Sequence, residues 1–183
     1  MQTRRFLLAA AATLGAGALP ARAQLRTPPT SMPAKWYAVQ VEDGAFQIEM
    51  PGIPDNRRID DRSAKGTPFV FHSYSLEVGG NAYVVQTALY PPDVDARQPR
   101  PLLQAALDAR AQPLAGRKWK SVNWRDVQGA LTAETVGALP NGTGLRQMVM
   151  MRGSRFVSLA FLGPEAVLTG PEAQRFFNSL KFR

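Results

Sequence analysis

The chain of 183 residues contains no cysteine and a single histidine, His72. The first absence excludes a disulfide framework, thiolate metal sites, a cysteine nucleophile and lipid attachment at a lipobox-type cysteine. The second excludes any mechanism that needs two imidazoles, a His-rich zinc site among them. There is no glycine-rich phosphate loop and no dinucleotide fingerprint, and no G-x-S-x-G elbow to present a serine. No period of roughly 20 to 50 residues recurs, which excludes solenoids and propellers. Acids are scarce, 14 against 22 Lys and Arg, for a formal net charge of +8.

What is present begins with residues 1–23, which have a basic start, an apolar middle and a small-x-small end at Ala21-Arg22-Ala23. That is the pattern of a cleavable export signal. Gly15, Gly17 and Pro20 break the apolar run, so it is too short for a membrane span. Thr3-Arg4-Arg5-Phe6-Leu7-Leu8 resembles the twin-arginine motif, so export by either the general or the twin-arginine route is open. The expected location is periplasmic or secreted, with no transmembrane segment in the mature chain. Without Arg4, Arg5 and Arg22 the chain keeps 19 basic and 14 acidic residues, a moderate excess that weakly favours anionic surfaces. Residues 24–40 read as a flexible leader carrying Pro28, Pro29 and Pro33. Residues 41–183 form one domain, large enough to need neither metal nor disulfide.

Within that domain, Gly44 to Met50 alternates apolar and polar residues until Pro51-Gly52 stops it, which predicts a half-buried strand. The charged stretch 53–66 reads as a loop. Pro68–Val78 and Asn81–Tyr90 form a hairpin about Gly79-Gly80. From Pro101 to Gln112 the spacing turns helical, with Leu102, Leu103, Ala106, Leu107 and Arg110 on one stripe. Lys118–Val127 and Ala130–Leu139 predict two more strands. The two apolar runs between Gly144 and Gly163, joined by Arg152-Gly153-Ser154, predict a closing hairpin. Thr169 and Glu172 stand at capping-box spacing ahead of a helix that buries Ala173, Phe176, Phe177 and Leu180. The sum is seven strands and two helices. This is an α+β fold, an antiparallel sheet of six or seven strands with helices packed on its faces.

The order of these elements resembles the PsbP-like superfamily of α-β-α sandwiches. The resemblance rests on Phe46-Gln47-Ile48-Glu49-Met50-Pro51-Gly52, on the arm from Ala82 to Tyr90, and on Arg155-Phe156-Val157-Ser158-Leu159 running to Phe176-Phe177-Asn178-Ser179-Leu180-Lys181-Phe182. It spans most of residues 40–183. It implies a domain that binds protein partners or helps assemblies form, and it carries over no metal ligand residue by residue.

The chemistry-bearing candidates are few. His72 lies in a strand, and a serine–histidine mechanism would need a serine and an acid beside it. Asp60-Asp61 and Asp93-x-Asp95 are the close acid pairs; such pairs serve acid–base work or hold a hard cation. Arg57, Arg58, Arg62 and Lys65 form one basic cluster. Lys118 and Lys120 flank Trp119 beside Arg117 in another, the pattern that tracks a polyanion by charge and stacking. Export points that pattern at anionic polymer, lipid or an acidic protein rather than nucleic acid. Met148, Met150 and Met151 offer thioethers to a soft metal, but their strand spacing fits core filling. The expectation is therefore a non-catalytic exported binding domain with no cofactor, one that assists assembly or stability of an envelope protein complex. Two alternatives stand beside it. One is a binder of anionic polymer or lipid through Lys118, Trp119 and Lys120; the other is a hydrolytic enzyme using Asp60, Asp61 or His72.

Overall fold

The computed structural model describes residues 35–41 and 43–183. The expected export signal, and the expected leader up to residue 34, lie outside them. The chain runs β1 (Tyr37–Gln40), β2 (Phe46–Met50), β3 (Asp55–Arg62), β4 (Pro68–Val78), β5 (Asn81–Leu89) and α1 (Pro99–Ala111). It continues through β6 (Ser121–Val127), β7 (Ala130–Ala138), β8 (Gly144–Arg152), β9 (Arg155–Gly163), α2 (Pro171–Asn178) and β10 (Lys181–Phe182). Seven strands form one antiparallel sheet in the order β3-β4-β5-β9-β8-β7-β6, and β1-β2-β10 form a separate small sheet.

The large sheet is two meanders joined at a seam. β3 to β5 wind outward from one edge; α1 then carries the chain across a face to the opposite edge, where β6 begins. From there β6 to β9 wind back until β9 pairs with β5, setting Tyr83 against Phe161 and Val85 against Leu159. The β8–β9 turn is tight, with Arg152 opposite Arg155 and Gly153 at a φ of 57°, where a missing Cβ removes the steric penalty.

β8 and β9 are buried on both faces, so the sheet needs two covers. On one face Tyr83, Val85, Met148, Met150, Leu159 and Phe161 cluster with Ala173, Phe176 and Phe177 of α2 and with Phe46, Ile48 and Met50 of β2. Tyr83 meets the rings of Phe161 and Phe176 edge-on at 5.0 and 5.4 Å. On the other face Phe71, Val149, Met151 and Phe156 lie beneath Leu103 and Leu107 of α1. The three methionines thus fill core on both sides of the sheet. Glu134 accepts from Arg146 at 2.5 Å, and Arg146 in turn lies 4.5 Å over the Phe177 ring, which ties α2 to the sheet.

Five expectations change. The stretch 53–66 contains β3, an edge strand exposed along most of its length; Ile59 is its one apolar contact with the core, so it shows no apolar alternation, and its charges protect a sheet edge. β2 leaves the large sheet for the small one, so the seven-strand count survives through an exchange of members. The covers are unequal, since α1 covers one face while α2 shares the other with the small sheet. Gly170, not Thr169, caps α2 without a side-chain bond, and Glu172 instead accepts from the Tyr83 hydroxyl at 3.2 Å. β1 also occupies part of the stretch expected as leader.

Two substitutions test the packing. Phe176 is fully buried, and Phe176→Ala should lower unfolding free energy by about 3–5 kcal/mol in urea titrations. A Cβ on Gly137 would lie 2.8 Å from Leu114 Cδ1 and 3.2 Å from Trp119 Cε3. Gly137→Ala should therefore cost about 1–3 kcal/mol, read as a lower urea midpoint.

Candidate functional site

Antiparallel pairing brings several loops to one end of the large sheet. The start of β4, the end of β5 and the β8–β9 turn meet there, beneath the loop that joins β1 to β2. The register sets His72 opposite Thr87, and Leu89 opposite Arg155. Together they floor a hollow of about 770 Å³, walled by Val41, Phe69, Val70, Leu89, Tyr90 and Pro91. That volume lies in the range of ligand pockets, and the walls are mainly apolar, as such pockets usually are. Leu89 contributes a side chain 59% exposed.

Arg155 and Asp43 are the charged groups of this hollow, and the Arg155 side chain is only 15% exposed. One arm of its guanidinium donates to Thr87 Oγ1 at 3.3 Å, and the other donates to the Asp43 carboxylate in close contact. Thr87 in turn donates to the Phe156 carbonyl at 2.9 Å. Asp43 is more open, at 48%, and its second oxygen accepts from the Ala45 amide at 3.1 Å. Tyr90 closes one side; its ring packs against Phe69 at 5.4 Å. Burial pushes its hydroxyl up to about 12, with Arg110 opposing and Asp61 reinforcing the shift.

A second hollow of about 570 Å³ adjoins the first, and both have Pro92 and Ser154 in their walls. Lys65, Asp93, Asp95 and Arg97 give it a mixed charge. Ser63 anchors its rim. Its hydroxyl donates to Asp93 in close contact and accepts from the Thr67 and Lys65 amides at 3.1 and 3.3 Å. The Ser63 hydrogen bond holds the Asp93 carboxyl below its ordinary range. Asp95 is likewise lowered by its bond to Arg97.

The residues singled out in the sequence scatter. His72 lines the first hollow. Asp60 pairs with Arg58 at 3.3 Å, and Asp61 accepts from the Arg62 amide at 2.7 Å; neither lines a hollow. The serine that meets a carboxylate, Ser63, bonds Asp93 in the wall of the second hollow, which His72 does not line. Among the described residues no group of three His, Asp or Glu could hold a metal ion. Lys118 to Lys120 precede β6 rather than forming part of it. The Trp119 indole donates to the Leu107 carbonyl at 3.0 Å and packs beneath α1. Lys120 pairs with Glu165 at 2.6 Å, and Lys118 is exposed.

Arg110 is a second half-buried cation whose partners are neutral. At the end of α1 it donates to Ser158 at 3.0 Å and Gln86 at 2.9 Å, and it lies 5.6 Å over the Phe156 ring. Burial lowers its guanidinium to about 10, with Tyr90 opposing. This network fixes the C-terminal end of α1 to the sheet. Sequence reasoning missed Arg155, Asp43, Thr87 and Tyr90. A contact between residues 112 positions apart has no local signal.

No family model matches the chain, and neither does any curated protein. Among solved structures, the chain is similar to cyanobacterial PsbP (CyanoP) from Synechocystis sp. PCC 6803, with 11% identity and a TM-score of 0.52 over 87% of this chain and 99% of that one. It also matches a protein of unknown function, PA94 from Pseudomonas aeruginosa, a putative regulator by its description, at 13% identity and a TM-score of 0.41 over 75% and 89% of the two chains. The first likeness shows the fold: the described chain adopts a PsbP-like architecture.

Proposed function

We propose that the protein is an exported, non-catalytic binding domain that engages a protein partner of the cell envelope. One observation carries the reading. The hollow at Arg155 has mainly apolar walls around an Arg155–Asp43 pair, and its Thr87 hydroxyl donates to the Phe156 carbonyl, so no nucleophile–base–acid series lines it among the described residues. Such a surface suits recognition: apolar area gives affinity and one fixed charge gives orientation. The PsbP-like architecture and the export-type N-terminus agree with this reading. Among the described residues no helix is long and apolar enough to cross a membrane.

A second reading, adhesion to anionic polymer or lipid, draws on Lys118 and Arg117, which stand exposed on one turn. Trp119 and Lys120 support it less, because each already has an internal partner.

Chemical crosslinking of the full chain in the intact envelope of its host, followed by purification, should retrieve a discrete protein partner. Retrieval of none would overturn the first reading. For the second, the paired charge reversals Lys118→Glu and Lys120→Glu should abolish binding to anionic vesicles, and raising salt should weaken it steeply in the unaltered chain. Vesicle binding that ignores both would end it.

A further inference from the structure

We propose that the Arg155 hollow receives the C-terminal carboxylate of the partner polypeptide, and that Asp43 occupies that place until the partner arrives. The proposal rests on the partner-binding reading and adds what part of the partner is held.

Three features lead to it. Arg155 is a planar fork, the shape that matches a carboxylate by two parallel bonds. Its side chain is largely buried, yet one arm is spent on a neutral hydroxyl and the other on a carboxylate from a loop 112 residues away in sequence. Asp43 is half exposed and divides its oxygens between Arg155 and the Ala45 amide, so it is a partner that another carboxylate can replace. The protein thus satisfies a buried cation with its own acid while keeping the surrounding space open.

The walls state what accompanies the charge. Val41, Phe69, Val70 and the exposed Leu89 offer apolar surface beside the guanidinium, which suits an apolar terminal side chain. The second hollow continues from the first past Pro92 and Ser154, so the concavity is long rather than round. An extended chain fits it better than a compact molecule. The upstream residues of such a chain would run toward Lys65 and Arg97.

Asp43 makes the idea testable by a gain. An internal competitor lowers apparent affinity by the fraction of molecules in which it holds the site, and removing it restores that loss. The probes are two pools of fluorescein-labelled heptapeptides with randomised last three residues, one ending in free carboxylates and one in amides, followed by fluorescence polarisation. The free-acid pool should bind the full mature chain about tenfold more tightly than the amide pool, the worth of a charge-assisted pair. Asp43→Asn should tighten the free-acid pool by about fivefold and leave the amide pool unchanged. Arg155→Met should erase the preference, and Arg155→Lys should keep part of it. Improved binding by Asp43→Asn cannot come from misfolding, so this arm stands whatever happens to Arg155→Met.

Equal binding of the two pools would overturn the proposal, as would an Asp43→Asn change that weakens or does not alter binding. Binding of decanoate with the same Asp43 dependence, while neither pool binds, would overturn it in favour of a small apolar acid. In the envelope crosslinking, a partner retrieved equally by the unaltered chain and by Arg155→Lys defeats this inference and leaves the binding reading intact. Retrieval of no partner defeats that reading instead.

Discussion

The structure depends on the double burial of its two central strands. β8 and β9 present apolar side chains to both sides, so neither face of the sheet can be left wet. Each buried Phe, Leu or Met contributes roughly 1.5–3 kcal/mol relative to exposure, and only a cover on each face collects that stabilisation. α1 supplies one cover while carrying the chain from β5 to the far edge. α2 and the small sheet supply the other, clamped by the Arg175–Glu49 pair at 2.7 Å and by the Ser179 hydroxyl, which accepts from the Glu49 amide at 2.8 Å. The glycine that lets Leu114 and Trp119 approach β7, and the arginine that lies over Phe177, serve the same requirement.

With both faces occupied, the large sheet leaves its edges and ends exposed. The β3 edge is covered with charge, the usual protection against stray pairing. The opposite edge, β6, carries Arg125, Asp126 and an exposed Val122. One end of the sheet gathers the β1–β2 loop, the β3–β4 turn, the β5–α1 connection and the β8–β9 turn. That end holds both hollows and Arg155, a largely buried cation bordering open space.

Much of the fold was legible in the sequence because covered strands and helices leave periodic traces. The β8–β9 hairpin, the stripe of α1 and the apolar face of α2 were all read from spacing. β3 was not legible, because a strand with one apolar core contact, Ile59, has no alternation to show. The small sheet was missed because β2 alternates as any strand does, and its partners β1 and β10 are only 4 and 2 residues long. The capping box failed for a tertiary reason: Glu172 meets the Tyr83 hydroxyl 89 positions away. Of the candidate site, only His72 was singled out beforehand among the residues flooring the first hollow. Arg155 looked like the first residue of a strand, and nothing local ties it to Asp43 or Thr87. The Lys118-Trp119-Lys120 pattern looked like a binding platform, yet the indole is drawn under α1 by the Leu107 carbonyl.

The central claim is that partners are met at the Arg155 end of the sheet. The most direct measurement places a photo-activatable residue, one at a time, at Leu89, Val122 and Lys118 of the full chain and illuminates living cells. The account predicts a discrete adduct from Leu89 and none from the other two. An adduct from Val122 or Lys118, with Leu89 silent, would contradict it.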